Sequence, residues 1–477
     1  MRIEQLLPLR VALWGFGREG RASLAALRTR APGKALTLFC NAEEAQAARA
    51  LADPALTIVT QAVDAALLGA FDLVIKSPGI SPYREPAASA IAVGVRMISG
   101  SAIWFAEHPE AATICVTGTK GKSTVSALIA HLLRGLNVRT ALAGNIGLPL
   151  LELLDPTPPP DCWVIELSSF QTRDFAASPG VAVLTNLIEE HLDWHGSVER
   201  YLDDKLRILG ADPATRIVAN AADPLLAARL AADPRAVGHA FNHPDGWHLA
   251  EGFLCLGPRR VLTQSDLPLP GRHNAENACA ALAAVAAAGF DALAAARHLL
   301  GFQPLPHRLQ TLGERDGITF VDDSIATTPQ AAVAALRHFA GQRLAILIGG
   351  HERGLDWRAL AEQVRAQPPH AIVCTGATGE RVFALLAETL GPSRIAHPTG
   401  PANPLQQTGT TQLLAAADFD QAFALARSSL SPGGVLLLSP GAPSFGQFRD
   451  YIERGQHFAK LAGFEPANSS IRGLGIA

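Results

Sequence analysis

The sequence lacks an excess of charge of either sign: 40 Lys and Arg stand against 43 Asp and Glu, giving a formal net charge of −3. Its basic residues are scattered, so the chain has none of the positive field that nucleic acid requires as a partner. It also lacks an uninterrupted apolar run of the roughly 18 residues needed to cross a bilayer, and Arg2 and Glu4 precede only a short apolar stretch at the N-terminus. The expectation is a soluble, unprocessed, cytoplasmic chain with no membrane insertion. Cysteine is sparse. Cys40, Cys115, Cys162, Cys255, Cys279 and Cys374 are widely spaced, with no C-x-x-C pair, and read as reduced core residues. No internal repeat is present, and 477 residues exceed what one core serves, so two to four domains are expected.

The stretch Thr117-Gly118-Thr119-Lys120-Gly121-Lys122-Ser123-Thr124 stands between the apolar run 113–116 and an amphipathic segment beginning at Val125. A phosphate needs backbone N–H groups without obstructing side chains, a helix N-terminus, one ammonium and one hydroxyl beside a magnesium ion. Gly118, Gly121, Lys122 and Ser123 supply them in that order. The usual nucleotide loop has a further glycine where this chain has Val116, so the match is to the shorter pattern T-G-T-x-G-K-S-T. Apolar residues at Val125, Leu128, Ile129, Leu132 and Leu133 predict a helix with one face on a sheet.

Upstream, Gly15-Phe16-Gly17-Arg18-Glu19-Gly20 follows an apolar strand and opens a helical segment, a G-x-G-x-x-G fingerprint. A dinucleotide site would end the next strand, 35–39, with an acid to hold the ribose; Cys40 and Asn41 stand there instead. A third strand is expected at 73–76, ending in the loop Ser77-Pro78-Gly79-Ile80-Ser81-Pro82, whose backbone donors suit another phosphate. Downstream of the phosphate loop, strand 162–165 delivers Glu166 at its C-terminal end, where an acid reaches a metal beside the phosphates. Strand 181–185 is followed by Glu189-Glu190-His191-Leu192-Asp193-Trp194-His195, whose acids and imidazoles read as a metal or phosphate site. Lys205 falls on a predicted helix and by itself reads as a surface lysine. A buried helix is expected over 275–288, and strands at 318–321, 344–348, 371–374 and 435–438 form a last parallel sheet. Residues 391–411, rich in Pro, Gly, Thr and Gln, read as a long loop. The fold class is α/β, with three domains expected at 1–108, 109–304 and 305–477: a Rossmann-like domain, a P-loop ATPase-like parallel-sheet domain and a second Rossmann-like domain.

The order of parts resembles the Mur ligases, ATP-dependent amide-forming enzymes of peptidoglycan assembly, over essentially the whole chain. The matching pieces are G-F-G-R-E-G at Gly15, S-P-G-I at Ser77, G-T-K-G-K-S-T at Gly118, G-N-I-G at Gly144, I-E-L-S-S-F-Q at Ile165, E-H-L-D at Glu190, Y-x-x-x-K at Tyr201, H-N-x-x-N at His273, L-P-H-R at Leu305, D-S at Asp323 and L-L-S-P at Leu437. Within the family the likeness is to the glutamate-adding branch. It implies a UDP-muramoyl substrate on the first domain, ATP on the second, and a third domain that closes over both. ATP would phosphorylate the carboxylate of UDP-N-acetylmuramoyl-L-alanine, and glutamate would then displace phosphate. By similarity, Gly118, Thr119, Lys120, Gly121, Lys122, Ser123, Thr124, Asn277, Arg308 and Asp323 contact ATP. Ser123 and Glu166 would hold one Mg2+, and His191 with Lys205, carbamylated in the family, a second. Gly15, Gly17, Gly20, Asn41, Ser77, Gly79, Asn145, Ser168 and Gln171 match positions around the muramoyl substrate. The protein is expected to be a monomer.

The departures lie in the glutamate pocket. D-glutamate enzymes read D-S-K-A-T where this chain has Asp323-Ser324-Ile325-Ala326-Thr327. Arg353 replaces another lysine and Tyr451 a phenylalanine; Thr327, Arg353, Ser444 and Tyr451 are therefore the expected glutamate contacts. A different fork of donors suits a different enantiomer. The set resembles a variant subfamily that adds L-glutamate, whose product an epimerase inverts. D-glutamate is the alternative, with a folylpolyglutamate-type ligase, a noncatalytic sugar-nucleotide sensor and a nicotinamide oxidoreductase further off.

Overall fold

The computed structural model describes residues 1–236, 238–269, 271–352, 354–394, 410–465 and 474–477. They form two compact units, Met1–Gln303 with Arg472–Ala477, and Pro304–Ile471. Three parallel-sheet domains carry the α/β fold, two in the first unit and one in the second.

The first sheet contains β1 (Val11–Trp14), β2 (Leu36–Phe39), β3 (Leu56–Val59), β4 (Leu73–Lys76) and β5 (Arg96–Ile98), all parallel in the order 3-2-1-4-5. The strand expected third is thus fourth. Leu56–Val59 is a half-exposed edge strand, and so short a segment without a continuous apolar run gives little periodic signal. Order reverses between β1 and β4, which places the Gly15–Gly20 turn beside the loop after Lys76, the crevice where open α/β sheets bind ligands.

The second sheet contains β6 (Thr113–Thr117), β7 (Thr140–Gly144), β8 (Cys162–Glu166), β9 (Val181–Leu184) and β10 (Arg216–Ala219), parallel in the order 10-9-6-8-7. Every residue of β6 to β9 is buried, as apolar runs covered by helices on both faces require. An antiparallel meander follows, β11 (Trp247–Ala250), β12 (Phe253–Leu256) and β13 (Arg259–Thr263). The expected buried helix is Arg272–Ala287, whose alanines pack closely on the Lys122–Gly135 helix.

In the second unit β14 (Gln310–Arg315), β15 (Ile318–Asp322), β16 (Leu344–Ile348), β17 (Ala371–Cys374), β18 (Gln412–Ala415) and β19 (Val435–Leu438) are ordered 14-15-19-16-17-18, with only β14 antiparallel. The edge strands β14 and β18, mixed in polarity, are the ones that apolar patterning passed over. Much of the expected 391–411 loop, residues 395–409, lies outside the described residues. The expected last domain runs to 477, but β20 (Gly475–Ile476) adds antiparallel to β7 of the second sheet. Two residues carry no periodicity; the unpaired edge of β7 gives them their place.

Among the described residues no helix is long and apolar enough to cross a membrane. All six cysteines are free, five buried and Cys40 partly so.

Gly20 has no room for a side chain, since a Cβ there would lie 2.1 Å from Gly15 O. Gly20→Ala should force the turn and helix apart and lower stability by about 1–3 kcal/mol, read by urea unfolding; unchanged stability would show that the turn yields freely.

Candidate active site

The phosphate loop leaves β6 and enters the helix Lys122–Gly135 at Gly121, which has φ 84°. Gly118 is at φ 143°, and a Cβ on it would meet Thr185 Oγ1 at 1.9 Å. Its carbonyls are held from behind. Lys205 Nζ donates to Gly118 O at 2.6 Å, Lys122 Nζ to Thr119 O at 2.9 Å, and Thr185 Oγ1 and Asn186 Nδ2 to Lys120 O at 2.7 and 3.0 Å. Thr119 Oγ1 joins the set through Tyr201 OH at 2.8 Å and Ile188 N at 2.9 Å. With these carbonyls pinned, the N–H groups of the helix's first turn, which have no intrahelical acceptor, form an anion site beside Ser123 and Thr124. Asn277 lines the loop, its Oδ1 being 2.6 Å from where a Cβ on Gly121 would stand.

Strand register sets Glu166 opposite Val116. Its side chain is fully buried; Oε1 accepts from Asn145 Nδ2 at 2.7 Å, while Oε2 is buried with no hydrogen-bond partner in the protein. An orphaned buried carboxylate oxygen beside a phosphate loop suits a divalent cation, which would replace the lost hydration. No three His, Cys, Asp or Glu side chains among the described residues cluster as a metal site by themselves. The donor set that fits Mg2+ is therefore mixed, with Glu166 and Ser123 beside the phosphate oxygens of a bound nucleotide.

Lys205 is not the surface lysine it seems from its neighbours in sequence. It is buried, and that burial, reinforced by Lys122 and opposed by Glu190 and Glu166, pushes its ammonium well below the ordinary lysine range. A neutral amine is the form that reacts with carbon dioxide.

The acid and imidazole run 189–195 does not form one site. Glu190 pairs with Lys120 at 2.7 Å, His191 lies against Phe170 with its backbone at φ 57°, and Asp193 is exposed. His195 turns inward, with Nδ1 2.8 Å from Asp204 Oδ2 and Nε2 3.0 Å from Ser169 Oγ. Phe170 packs against the rings of His191, Trp194 and His195, and of these three only His195 continues inward to Asp204.

Of the expected muramoyl contacts, Gly15, Gly17 and Gly20 shape the first turn, and Ser77 Oγ lies 2.6 Å from a Cβ built on Gly15. Gly79 O accepts from Trp194 Nε1 at 3.1 Å. Asn41 caps the helix Ala42–Arg49, accepting from Glu44 N at 2.8 Å, a structural task sequence reading did not give it. Ser168 and Gln171 form a capping box, and Gln171 Nε2 donates to Glu19 Oε1 at 3.1 Å. Burial raises the Glu19 carboxyl to about 7.

In the second unit Asp323 is buried, accepting from Ser439 Oγ at 2.8 Å and Leu309 N at 3.1 Å; burial pushes its carboxyl up to about 7. Arg308 carries a buried, unpartnered Nε. Thr327 and Ser444 stand on two loops joined by Arg454, which sequence reading missed, and Tyr451 opens the helix that carries Arg454. Its guanidinium, 2% exposed, donates to Ser324 Oγ and O and to Ala442 O at 2.8–3.0 Å, while Ser324 Oγ donates to Tyr451 O at 2.7 Å. Only the loops' convergence reveals it, since an arginine in a helix otherwise reads as solvated. Arg353 lies outside the described residues.

Sequence comparison agrees with this geometry. The Mur ligase middle domain matches residues 116–285, and the Mur ligase, glutamate ligase domain matches 307–441. The UDP-N-acetylmuramoyl-L-alanine--L-glutamate ligase of Xanthomonas campestris pv. campestris (strain 8004) is 54% identical over 487 residues, spanning 100% of both chains. The chain belongs to the Mur ligase family. Ligases of the same name from Xylella fastidiosa (strain Temecula1 / ATCC 700964) and Micromonospora sp. are 50% and 38% identical, covering 100% and 96% of this chain and 100% and 98% of their own. The Mur ligase fold is shared with the solved UDP-N-acetylmuramate-alanine ligase of Thermotoga maritima, at TM-score 0.59 and 19% identity, covering 95% of this chain and 99% of that one.

Glu166→Gln removes the charge but keeps an acceptor for Asn145. Metal-free protein should keep its stability within about 1 kcal/mol, whereas most of the Tm increase given by Mg2+ with a non-hydrolysable ATP analogue should vanish. An increase as large as in the wild type would remove Glu166 from the metal set.

Proposed function

We propose that this Mur ligase joins L-glutamate to UDP-N-acetylmuramoyl-L-alanine, using ATP and passing through an acyl phosphate. The observation that carries the reading is the full-length identity with ligases of that activity; the phosphate loop beside the orphaned carboxylate of Glu166 supports it. The division of labour follows the expected domains: residues 1–108 take the UDP-sugar, 109–304 take ATP, and 305–477, apart from the β20 residues that join the second sheet, supply the glutamate contacts.

A carboxylate is a poor electrophile, so it is first activated. Its oxygen attacks the γ-phosphorus, the bond to the β-phosphate oxygen breaks, and ADP leaves with the electron pair. Lys122, released from Thr119 O, turns its ammonium to the phosphate oxygens, and the helix N-terminus holds the others. The free amine of glutamate then attacks the acyl carbon; phosphate departs with its electron pair and the nitrogen gives up a proton. Mg2+, at one position on Ser123 and Glu166 and at a second on His191 and carbamylated Lys205, supplies counter-charge to the phosphates when bound. Burial disfavours the Lys205 ammonium and so favours the amine that carbamylation consumes; a carbamate would place an anionic oxygen ligand at this point.

Enantiomer choice rests on the second unit. Ile325, half-buried, offers no charge where D-glutamate enzymes carry lysine, and Thr327, Ser444, Tyr451 and Arg353 take its place. The product would carry an L-configured glutamate, which an epimerase converts before steps that need the D form.

Phosphate release measured with ATP, UDP-N-acetylmuramoyl-L-alanine and each glutamate enantiomer tests the whole reading. L-Glutamate should have a kcat/KM higher by about a hundredfold or more, because a carboxylate without its partner in a closed site is that unfavourable. Ile325→Lys should narrow the gap, and a preference for D-glutamate in the wild type would overturn the assignment.

Lys205→Ala should lose at least about a hundredfold in kcat and recover part of it with added acetate. Full activity without rescue would remove Lys205 from the catalytic set, and a loss that acetate does not relieve would leave it only the task of holding Gly118 O.

A further inference from the structure

A clasp joins the first sheet to the second, and its central groups belong to neither expected ligand set. The loop after β4 is gripped at several points. Trp194 Nε1 donates to the carbonyls of Pro78 and Gly79, both at 3.1 Å, Ser81 Oγ donates to Trp194 O at 2.5 Å, and Arg84 Nε donates to Asp193 O at 2.8 Å. Just beyond, Tyr83 OH lies 2.8 and 2.9 Å from the two carboxylate oxygens of Asp204. The Tyr83 ring is set edge-on to Trp194 at 5.8 Å between centroids, with the Arg200 guanidinium 4.6 Å from its centre.

Asp204 is 1% exposed and immediately precedes Lys205 on the Val198–Leu206 helix. Its carboxylate also faces His195 Nδ1 at 2.8 Å, and His195 reaches Ser169, next to Ser168, through Nε2 at 3.0 Å. Arg207 Nε stands 3.5 Å from its other oxygen. One buried carboxylate thus meets the loop that bears Ser77 and Gly79 on one side. On the other it meets the helix whose lysine pins Gly118 O and the turn that carries Ser168. A buried acceptor of this kind does not give up a donor without replacement, so the loop and the helix move together or not at all.

We propose that Tyr83 and Asp204 are positioning residues that couple seating of the sugar nucleotide on the first sheet to the Lys205 side of the ATP site. Neither touches the reacting atoms. The coupling rests on the proposed ligase activity and, as a free-energy linkage, acts in both directions.

Calorimetry of a non-hydrolysable ATP analogue with Mg2+, alone and with saturating UDP-N-acetylmuramoyl-L-alanine, reads the coupling. In the wild type the sugar nucleotide should tighten the analogue by about fivefold or more. Tyr83→Phe keeps the ring and removes the hydroxyl; the analogue alone should bind within about twofold of wild type, while the tightening falls below about twofold. A purely structural role would lower Tm and leave the ratio in place. The proposal is overturned by undiminished coupling in Tyr83→Phe, by equal weakening with and without the sugar nucleotide, or by absence of coupling in the wild type. Turnover with L-glutamate is measured on the same preparations. If the wild type turns over and coupling survives in Tyr83→Phe, this inference alone falls; if the wild type is inactive with either enantiomer, the ligase reading falls and the coupling with it.

Discussion

The carbonyls of Gly118, Thr119 and Lys120 must face away from an incoming phosphate, and the donors that hold them there organise the centre of the protein. Lys205, Lys122, Thr185 and Asn186 perform that task from three different elements. Lys122 lies at the end of the loop itself; the other three reach it because the sheet order 10-9-6-8-7 brings β9 and the Val198–Leu206 helix to the end of β6. The loop's glycines permit the backbone to approach so closely, and the surrounding hydrogen bonds make that one conformation stable. Preorganisation of this kind allows charge developing on a transferred phosphoryl group to meet dipoles already aimed at it.

Burial of charge is the second constraint, and it follows from the first. Glu166 sits at zero exposure with one oxygen unpartnered, and burial pushes the Lys205 ammonium, on the Val198–Leu206 helix, well below the ordinary lysine range. The orphaned Glu166 oxygen would be unfavourable in a protein selected for stability alone, since burying a polar group without a hydrogen bond costs several kcal/mol. Together Glu166 and Lys205 are the features on which the proposed magnesium and phosphate site rests. The Asp204 carboxylate extends this buried polar region toward the first sheet, where Tyr83 and Trp194 fasten the loop after β4.

Much of this was legible in the residues themselves. The phosphate loop could be placed between a strand and a helix because β6 is uninterruptedly apolar and the helix after Lys122 repeats its apolar face at 3.6-residue spacing. Glu166 could be tied to a metal because it ends a buried strand, and the covered strands β15, β16, β17 and β19 were readable for the same reason. Edge strands were not. Leu56–Val59, Gln310–Arg315 and Gly475–Ile476 owe their conformation to an unpaired neighbouring edge, and a sequence does not display its neighbour's hydrogen bonds.

By itself, then, the chain determined the α/β class, the order of its parts and the residues able to bind phosphate, because these depend on local spacing and short-range backbone preference. Tertiary structure decided what each polar group does. It split the run from Glu189 to His195 into a surface pair with Lys120, an aromatic contact at Phe170 and a buried link to Asp204; it turned Asn41 into a helix cap and Arg454 into a bridge between loops. Above all it made Lys205 a buried lysine whose ammonium is disfavoured rather than a solvated one. Its pKa depends on what surrounds it, and residues distant in sequence supply that surrounding only once the sheets have packed.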